Sequence, residues 1–288
     1  MSLRHPRLSV LRRLGLEVTR LGAGAAVVAR PRSPIRVDAV DGHTWVVRRD
    51  QDRRRIFQEQ RVLGHYLGQQ HVDWVLRELD INCVLDVGAN VGQFARHLRE
   101  GGYAGRIVSF EPVAALADEL RRAAKDDPDW QVVQCALGEV DEKTEINVRP
   151  GAMSSLLPSS DFGKNWSKRL RETERQTIDV RRLDGLFADV VAGIDEPRVY
   201  LKLDTQGYDL QAFAGGGDCL KQIAGMQSEV SCVPIYDHMP RLPEQISTYE
   251  AEGFEITGMF PVTRHRQTLR VIEFDVTMVR AEAVRRTD

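Results

Sequence analysis

The run Cys83-Val-Leu-Asp-Val-Gly-Ala-Asn-Val-Gly-Gln-Phe94 constrains the fold more than any other stretch of the chain. An apolar segment ends in an acid, breaks into Gly88 and Gly92, and resumes with Phe94 and Leu98 at helical spacing. This pattern predicts a buried strand, a tight turn and a helix start. Glycines at such a turn admit backbone conformations closed to other residues and let a ligand approach the main chain. The turn is therefore read as a small-molecule site.

The rest of the chain repeats the theme. Helical spacing from Ala114 to Lys125 separates a second apolar run, Arg106-Ile-Val-Ser-Phe-Glu-Pro112, from a third, Gln131 to Leu137. Val199-Tyr-Leu-Lys-Leu-Asp204 and Gly225 to Val233 read as two more buried strands, with helical patterns over Tyr208 to Leu220 and Leu242 to Glu252. Phe254 to Phe260 and Leu269 to Arg280, divided by a polar loop, read as a final antiparallel pair. Alternation of this kind predicts an α/β fold, a doubly wound, mostly parallel sheet with helices on both faces.

Two regions fall outside that rhythm. Residues 1–79 are expected to form an N-terminal extension. It comprises a basic, leucine-spaced helix with a Gly/Ala/Pro loop, a hairpin turned at Asp41-Gly42 between Ile35–Val40 and Thr44–Arg49, and one or two cap helices from Arg54 to Leu79, with a break near Gly68. Residues 80–288 form the main domain, interrupted at about 139–196 by an insertion. There Thr144 to Val148 reads as a strand, Gly151 to Asn165 as a Ser/Pro/Gly-rich loop and Trp166 to Glu174 as a polar helix. Insertions of this kind often act as lids or substrate loops. Phe162 and Trp166 either close over substrate or pack the insertion onto the sheet.

A formal charge of −2 over 288 residues gives no drive toward nucleic acid or an anionic membrane. No run reaches the ~18 apolar residues of a membrane span. Cys83, Cys135, Cys219 and Cys232 are far apart, and three of them lie in apolar runs. They read as packing residues in a reducing, cytoplasmic compartment rather than as a zinc set. The basic N-terminus lacks the apolar core of a targeting signal and is read as a packing arm or homodimer contact.

Ligands of parallel sheets bind at the carboxyl ends of the strands. A dinucleotide would call for G-x-G-x-x-G, whereas this turn reads Asp86-x-Gly88-x-x-x-Gly92. An acid there repels a diphosphate and attracts a cation. Glu111, about 20 residues beyond the glycines, stands where an acid accepts ribose hydroxyls. Together these residues describe a site for S-adenosylmethionine. A nicotinamide-dependent oxidoreductase, or a binding protein without chemistry, are the rival readings.

The chain resembles class I S-adenosylmethionine-dependent methyltransferases, with a seven-stranded Rossmann-like sheet, and within them the FkbM family. The matching residues are Val84-Leu-Asp-Val-Gly-Ala-Asn-Val-Gly92, Ser109-Phe-Glu-Pro112, Ala136-Leu-Gly138, Ser154-Ser-Leu156, Leu201-Lys-Leu-Asp-Thr-Gln-Gly207 and Tyr236-Asp-His-Met-Pro240. The resemblance implies that Asp86, Gly88, Asn90 and Gly92 surround the methionine end of the cofactor. Glu111 and Pro112 would sit at the ribose, and Cys135, Ala136 and Leu137 beside the adenine. It also implies O-methylation of a sugar or natural-product hydroxyl, a role in secondary metabolism. Gln206 and Asp209 depart from the family's usual Lys-Ile-Asp-x-Glu-Gly pattern and the Glu that follows it.

The acceptor hydroxyl needs a base as its oxygen attacks. Asp204, Glu229 and His238 are the candidates near strand ends, and Lys202 is expected to orient one of these acids or to reach toward substrate. Two mechanisms are open. In one, His238 or Asp204 takes the proton. In the other, Asp204 and Glu229 bind a divalent cation. The metal-free form is preferred, because Gln206 removes one potential ligand.

Overall fold

In the computed structural model, residues 10–284 are described apart from 12, 22–24, 41–43 and 50–55. The chain divides into two compact units, residues 1–60 and 61–288. In the first, strands β1 (Glu17–Arg20) and β2 (Ala26–Ala29) form one antiparallel hairpin, and β3 (Ile35–Ala39) and β4 (Trp45–Arg49) a second. The β3/β4 hairpin follows the sequence reading. The β1/β2 hairpin replaces the expected Gly/Ala/Pro loop, because Val18, Val27 and Val28 favour extended backbone. Most of the basic arm lies outside the described residues; Val10, Leu11 and Arg13 are helical.

Helix α1 (Ile56–Glu78) runs without the expected break at Gly68, against which the Phe260 ring packs. Its later turns bury Val72, Val75 and Leu76, whereas Val62, Leu63, Tyr66 and Leu67 stay exposed. It leads into β5 (Cys83–Val87), all five residues of which are buried. Next come α2 (Gln93–Glu100), β6 (Arg106–Phe110), α3 (Ala114–Ala124) and β7 (Trp130–Val133). The expected third strand then divides. Val133 accepts the last main-sheet bond, from Glu111 N, and after a turn at Cys135 the short β8 (Ala136–Leu137) joins another sheet.

That second sheet is built by the insertion. β9 (Glu142–Val148) pairs antiparallel with β10 (Glu174–Arg181), which also takes up β8, giving the order β8-β10-β9. β10 replaces the end of the polar helix expected up to Glu174 and continues beyond it. Its alternation of buried Ile178 and Val180 with exposed neighbours is a period-2 signal that the charged residues obscured. Between these strands lie α4 (Asp161–Trp166) and a single 3-10 turn at Lys168–Leu170.

The chain continues through α5 (Asp184–Val190), β11 (Val199–Leu203), α6 (Asp209–Ala214), β12 (Ile223–Ser231), α7 (Leu242–Ala251), β13 (Phe254–Arg264) and β14 (Val271–Arg280). The main sheet has seven strands in the order β13-β14-β12-β11-β5-β6-β7. β14 runs antiparallel to both neighbours and the remaining pairings are parallel. Strand order reverses between β5 and β11, so the crevice of a doubly wound sheet must open above their carboxyl ends. Among the described residues, no helix is long and apolar enough to cross a membrane.

Candidate functional site

The crevice is present. An open cleft of about 640 Å³, counting the solvent space at its mouth, lies above β5, β6 and β11. Gly88 forms its floor. Its φ of 76° is left-handed, and a Cβ placed on it would stand 2.0 Å from the Asp204 backbone oxygen. The β5 and β11 turns touch here, sealed by Asp204 N donating to Val87 O at 3.1 Å. Only a residue without a side chain permits that approach.

Glu111 organises the opposite wall. One carboxylate oxygen accepts Asn90 N at 2.8 Å and the other accepts Val113 N at 2.9 Å. Glu111 therefore fixes the glycine turn and the start of α3 at once. A carboxylate offers about four acceptor positions, so each oxygen keeps one for a ligand hydroxyl. Burial raises its pKa, against the pull of the two N–H groups. Pro112, Cys135, Ala136 and Leu137 also line the cleft, with Leu116, Ile146 and Leu156 giving an apolar slot wide enough for a flat ring. Leu116 and Ile146 were not singled out in the sequence, and Leu156 only as part of the Ser154-Ser-Leu156 motif. Ile146 and Leu156 come from the insertion, whose place beside β6 is set by β8 pairing with β10.

Two residues expected at the cofactor lie elsewhere. Gly92 faces Leu120 and Trp130 rather than the cleft. Asp86 is fully buried beneath the floor, with Ser109 Oγ 3.5 Å from one oxygen and Lys202 Nζ 3.0 Å from the other. Its charge is met by a lysine on the neighbouring strand, and the attraction for a cationic ligand at the cleft surface passes to Asp204. Lys202 also stands 3.3 Å from Asp204 Oδ2. Burial works to lower the Lys202 pKa, but Asp86 and Asp204 outweigh it and hold the ammonium above its ordinary value.

Asp204 is the expected catalytic residue that reaches the cleft, and 35% of its side chain is exposed. Gln206 Nε2 donates to Asp204 Oδ1 and to Glu229 Oε2, both at 3.1 Å. Glu229 is thus brought to Asp204 through an amide. Burial, then the nearby Glu273 and Asp204, push its pKa well above the usual carboxylate range. Glu273, on the antiparallel strand beside it, is pushed up to about 8 by burial and by Asp204. His238 is exposed, has a left-handed φ of 63° and stands outside the cleft lining; the structure does not bring it to Asp204. Phe162 and Trp166 pack the insertion against Tyr236, Met239 and Leu170.

The residues present fit a nucleoside carrying a cationic tail: an apolar slot, a ribose-type carboxylate and an acid at the far end. Among the described residues no group of three or more His, Cys, Asp or Glu is arranged to hold a metal ion.

The chain is similar to several known proteins. The curated methyltransferase 1 of Beauveria bassiana (strain ARSEF 2860) is 24% identical over 152 residues, which is 48% of this chain and 60% of that protein. The chain therefore spans less than two thirds of that relative. Magnesium protoporphyrin IX methyltransferase from Synechocystis PCC 6803, solved with bound SAM, is similar at 13% identity and a TM-score of 0.40, over 80% of this chain and 86% of that one. Aeropyrum pernix fibrillarin, also solved with S-adenosyl-L-methionine, is similar at 14% identity and a TM-score of 0.41, over 92% and 94%. The model of the methyltransferase FkbM domain matches residues 86–258, more than half of the chain. The chain belongs to the FkbM methyltransferase family.

Proposed function

We propose that the protein is an S-adenosylmethionine-dependent O-methyltransferase acting on a hydroxyl of a small molecule such as a sugar or natural product. The observation that carries this reading is the position of Asp204. It is a part-exposed carboxylate at the strand-order reversal, on the opposite side of the cleft floor from the ribose-type acid Glu111.

The cofactor supplies an electrophilic methyl group on a sulfonium. Glu111 binds the ribose hydroxyls, and Gly88 and Asn90 let the amino-acid end approach the main chain. Pro112, Cys135, Ala136 and Leu137 enclose the base. Asp204 holds the acceptor hydroxyl in line with the methyl and takes its proton as the new C–O bond forms and the C–S bond breaks. Much of the rate comes from that alignment, and a positioned base adds about 10²–10⁴-fold. Lys202 keeps the carboxylate in place from below.

The test has two stages. Calorimetry with S-adenosylmethionine is expected to show binding, and an assay for S-adenosylhomocysteine across hydroxylated acceptors to show turnover. Asp204→Asn is expected to weaken cofactor binding by about tenfold at most, through the lost attraction for its cationic end, while turnover at saturating cofactor falls by about 10²–10⁴-fold. No cofactor binding by the wild-type protein overturns the reading. Binding without turnover on any acceptor favours a binding protein instead.

A further inference from the structure

Gln206 occupies a position that the reaction outlined above leaves unexplained. Its backbone is left-handed, with φ of 56°, a conformation uncommon for a residue other than glycine. The strain is held from the insertion, where the buried Ser155 donates its hydroxyl to Gln206 O at 2.7 Å. Tyr236, on the loop after β12, places its hydroxyl 3.0 Å from Gln206 Oε1. The side-chain nitrogen then faces Asp204 Oδ1 and Glu229 Oε2, each at 3.1 Å. Three side chains, those of Tyr236, Asp204 and Glu229, thus converge on one carboxamide.

With Asp204 ionised, the pairing to its carboxylate sets which way the amide points. Its two N–H bonds supply one donor to each carboxyl group, and its oxygen accepts from the tyrosine hydroxyl, whose single proton is shared with Met153 O at 3.0 Å. The flipped amide would set a carbonyl oxygen against the Asp204 carboxylate and withdraw its donor, a costly state in a part-buried site. The nitrogen therefore stands between two carboxylates with its positive edge toward both. A divalent cation bridging this pair would take the same place, at 2.0–2.6 Å from its oxygens in the usual geometries. It would meet two N–H bonds rather than a ligand oxygen.

We infer that Gln206 is a positioning residue whose carboxamide stands in for a bridging cation between Asp204 and Glu229, so that methyl transfer at this site needs no divalent metal. This rests on Asp204 being the base. The amide holds one Asp204 oxygen, leaves the carboxylate aligned at the cleft, and ties its position to the insertion through Ser155 and to the β12 loop through Tyr236. Replacing the amide by a carboxylate sets three acids at one point, and their mutual repulsion is relieved by a cation.

The experiment titrates Mn²⁺ into the full-length wild-type protein and into Gln206→Glu, with calorimetry as the readout. The wild type is expected to show no Mn²⁺ binding in the millimolar range, and Gln206→Glu to gain affinity by at least about tenfold, which is 1.4 kcal/mol. Gln206 lines the cleft beside Asp204, so S-adenosylhomocysteine affinity is measured in parallel, and retained binding by Gln206→Glu shows that its site is folded. In wild-type turnover assays, EDTA is expected to have no effect. Gln206→Met, close in size and without the amide, is expected to lower kcat by about 10-fold or more and to alter the pH-rate profile, with little change in KM.

Saturable Mn²⁺ binding by the wild type, or loss of its activity in EDTA, overturns the inference, and neither measurement depends on a variant folding. A Gln206→Met protein with unchanged kcat and pH profile also overturns it. Failure of the wild type to bind S-adenosylmethionine removes the functional reading itself, and that measurement is separate from the Mn²⁺ titration.

Discussion

Lys202 Nζ lies 3.0 Å from Asp86 Oδ1, an ion pair on adjacent strands in which the lysine side chain is 7% exposed and the aspartate fully buried. The pair sits directly under the glycine floor of the cleft, and its second carboxylate, Asp204, emerges above it. A charge that first reads as part of the ligand site is therefore a support for the residue that does face the ligand.

Removing the lysine leaves a buried carboxylate without its counter-charge. Lys202→Met is expected to destabilise the domain by about 3–5 kcal/mol. Lys202→Met with Asp86→Asn is expected to recover part of that loss, since the pair then carries no charge. Thermal and urea unfolding of the two variants decide the point; equal losses in both would show that the ion pair is not the source.

At Gly88 the expected effect is steric. A Cβ there would overlap the Asp204 carbonyl, so Gly88→Ala must force the β5 and β11 turns apart. The expected outcome is a loss of S-adenosylhomocysteine binding by calorimetry together with a lowered Tm. Normal affinity in a stable variant would show that the floor yields more than this contact allows.

Glu111 is bonded to backbone N–H groups through both oxygens, so Glu111→Gln turns an NH2 group toward a donor. A charge-assisted bond is worth about 1.5–3 kcal/mol. Cofactor affinity is expected to fall by about 10–100-fold, with a smaller loss of stability because the glycine turn and α3 are both tied here. Titration of the variant with S-adenosylhomocysteine measures the first and thermal unfolding the second.

The acids on the strand beside Glu229 predict a pH dependence of stability. Glu273 is raised from 4.5 to about 8, by burial first and then by Asp204, and Asp275 to about 7 by burial and Asp204. The native state thus holds protons that the unfolded chain releases above about pH 4.5. Stability contributed by these groups is intact below that pH, falls as pH rises, and levels off above about pH 8. Glu273→Gln, which keeps the shape and removes the titration, is expected to raise Tm at pH 8 by at least about 2–4 °C, equivalent to about 1 kcal/mol. At pH 5 it is expected to have little effect. An equal change at both pH values would assign the effect to packing.

Much of the sheet was legible because its central strands, buried on both faces, show as apolar runs ended by Gly, Pro or Asp. Cys83–Val87, Arg106–Phe110 and Val199–Leu203 all follow that rule. The insertion followed it poorly. Glu174–Arg181 is charged at nearly every second position, and its strand pairing is decided by β8 and β9, residues far away in the chain. His238, well chosen by chemistry for a neutral-pH base, falls on an exposed loop because nothing in local sequence states which way a loop carries its side chain.

The sequence by itself determined the doubly wound sheet, the glycine turn and the acid after the second strand, since periodicity and turn chemistry are local properties of the chain. The tertiary structure alone decided which charges neutralise one another. Asp86 is 116 residues from Lys202 in sequence and adjacent in register, whereas Gln206 draws Asp204 and Glu229 together from two strands. Coulomb and hydrogen-bond energies depend on distances of a few ångströms and on burial, and both are set only when distant segments pack.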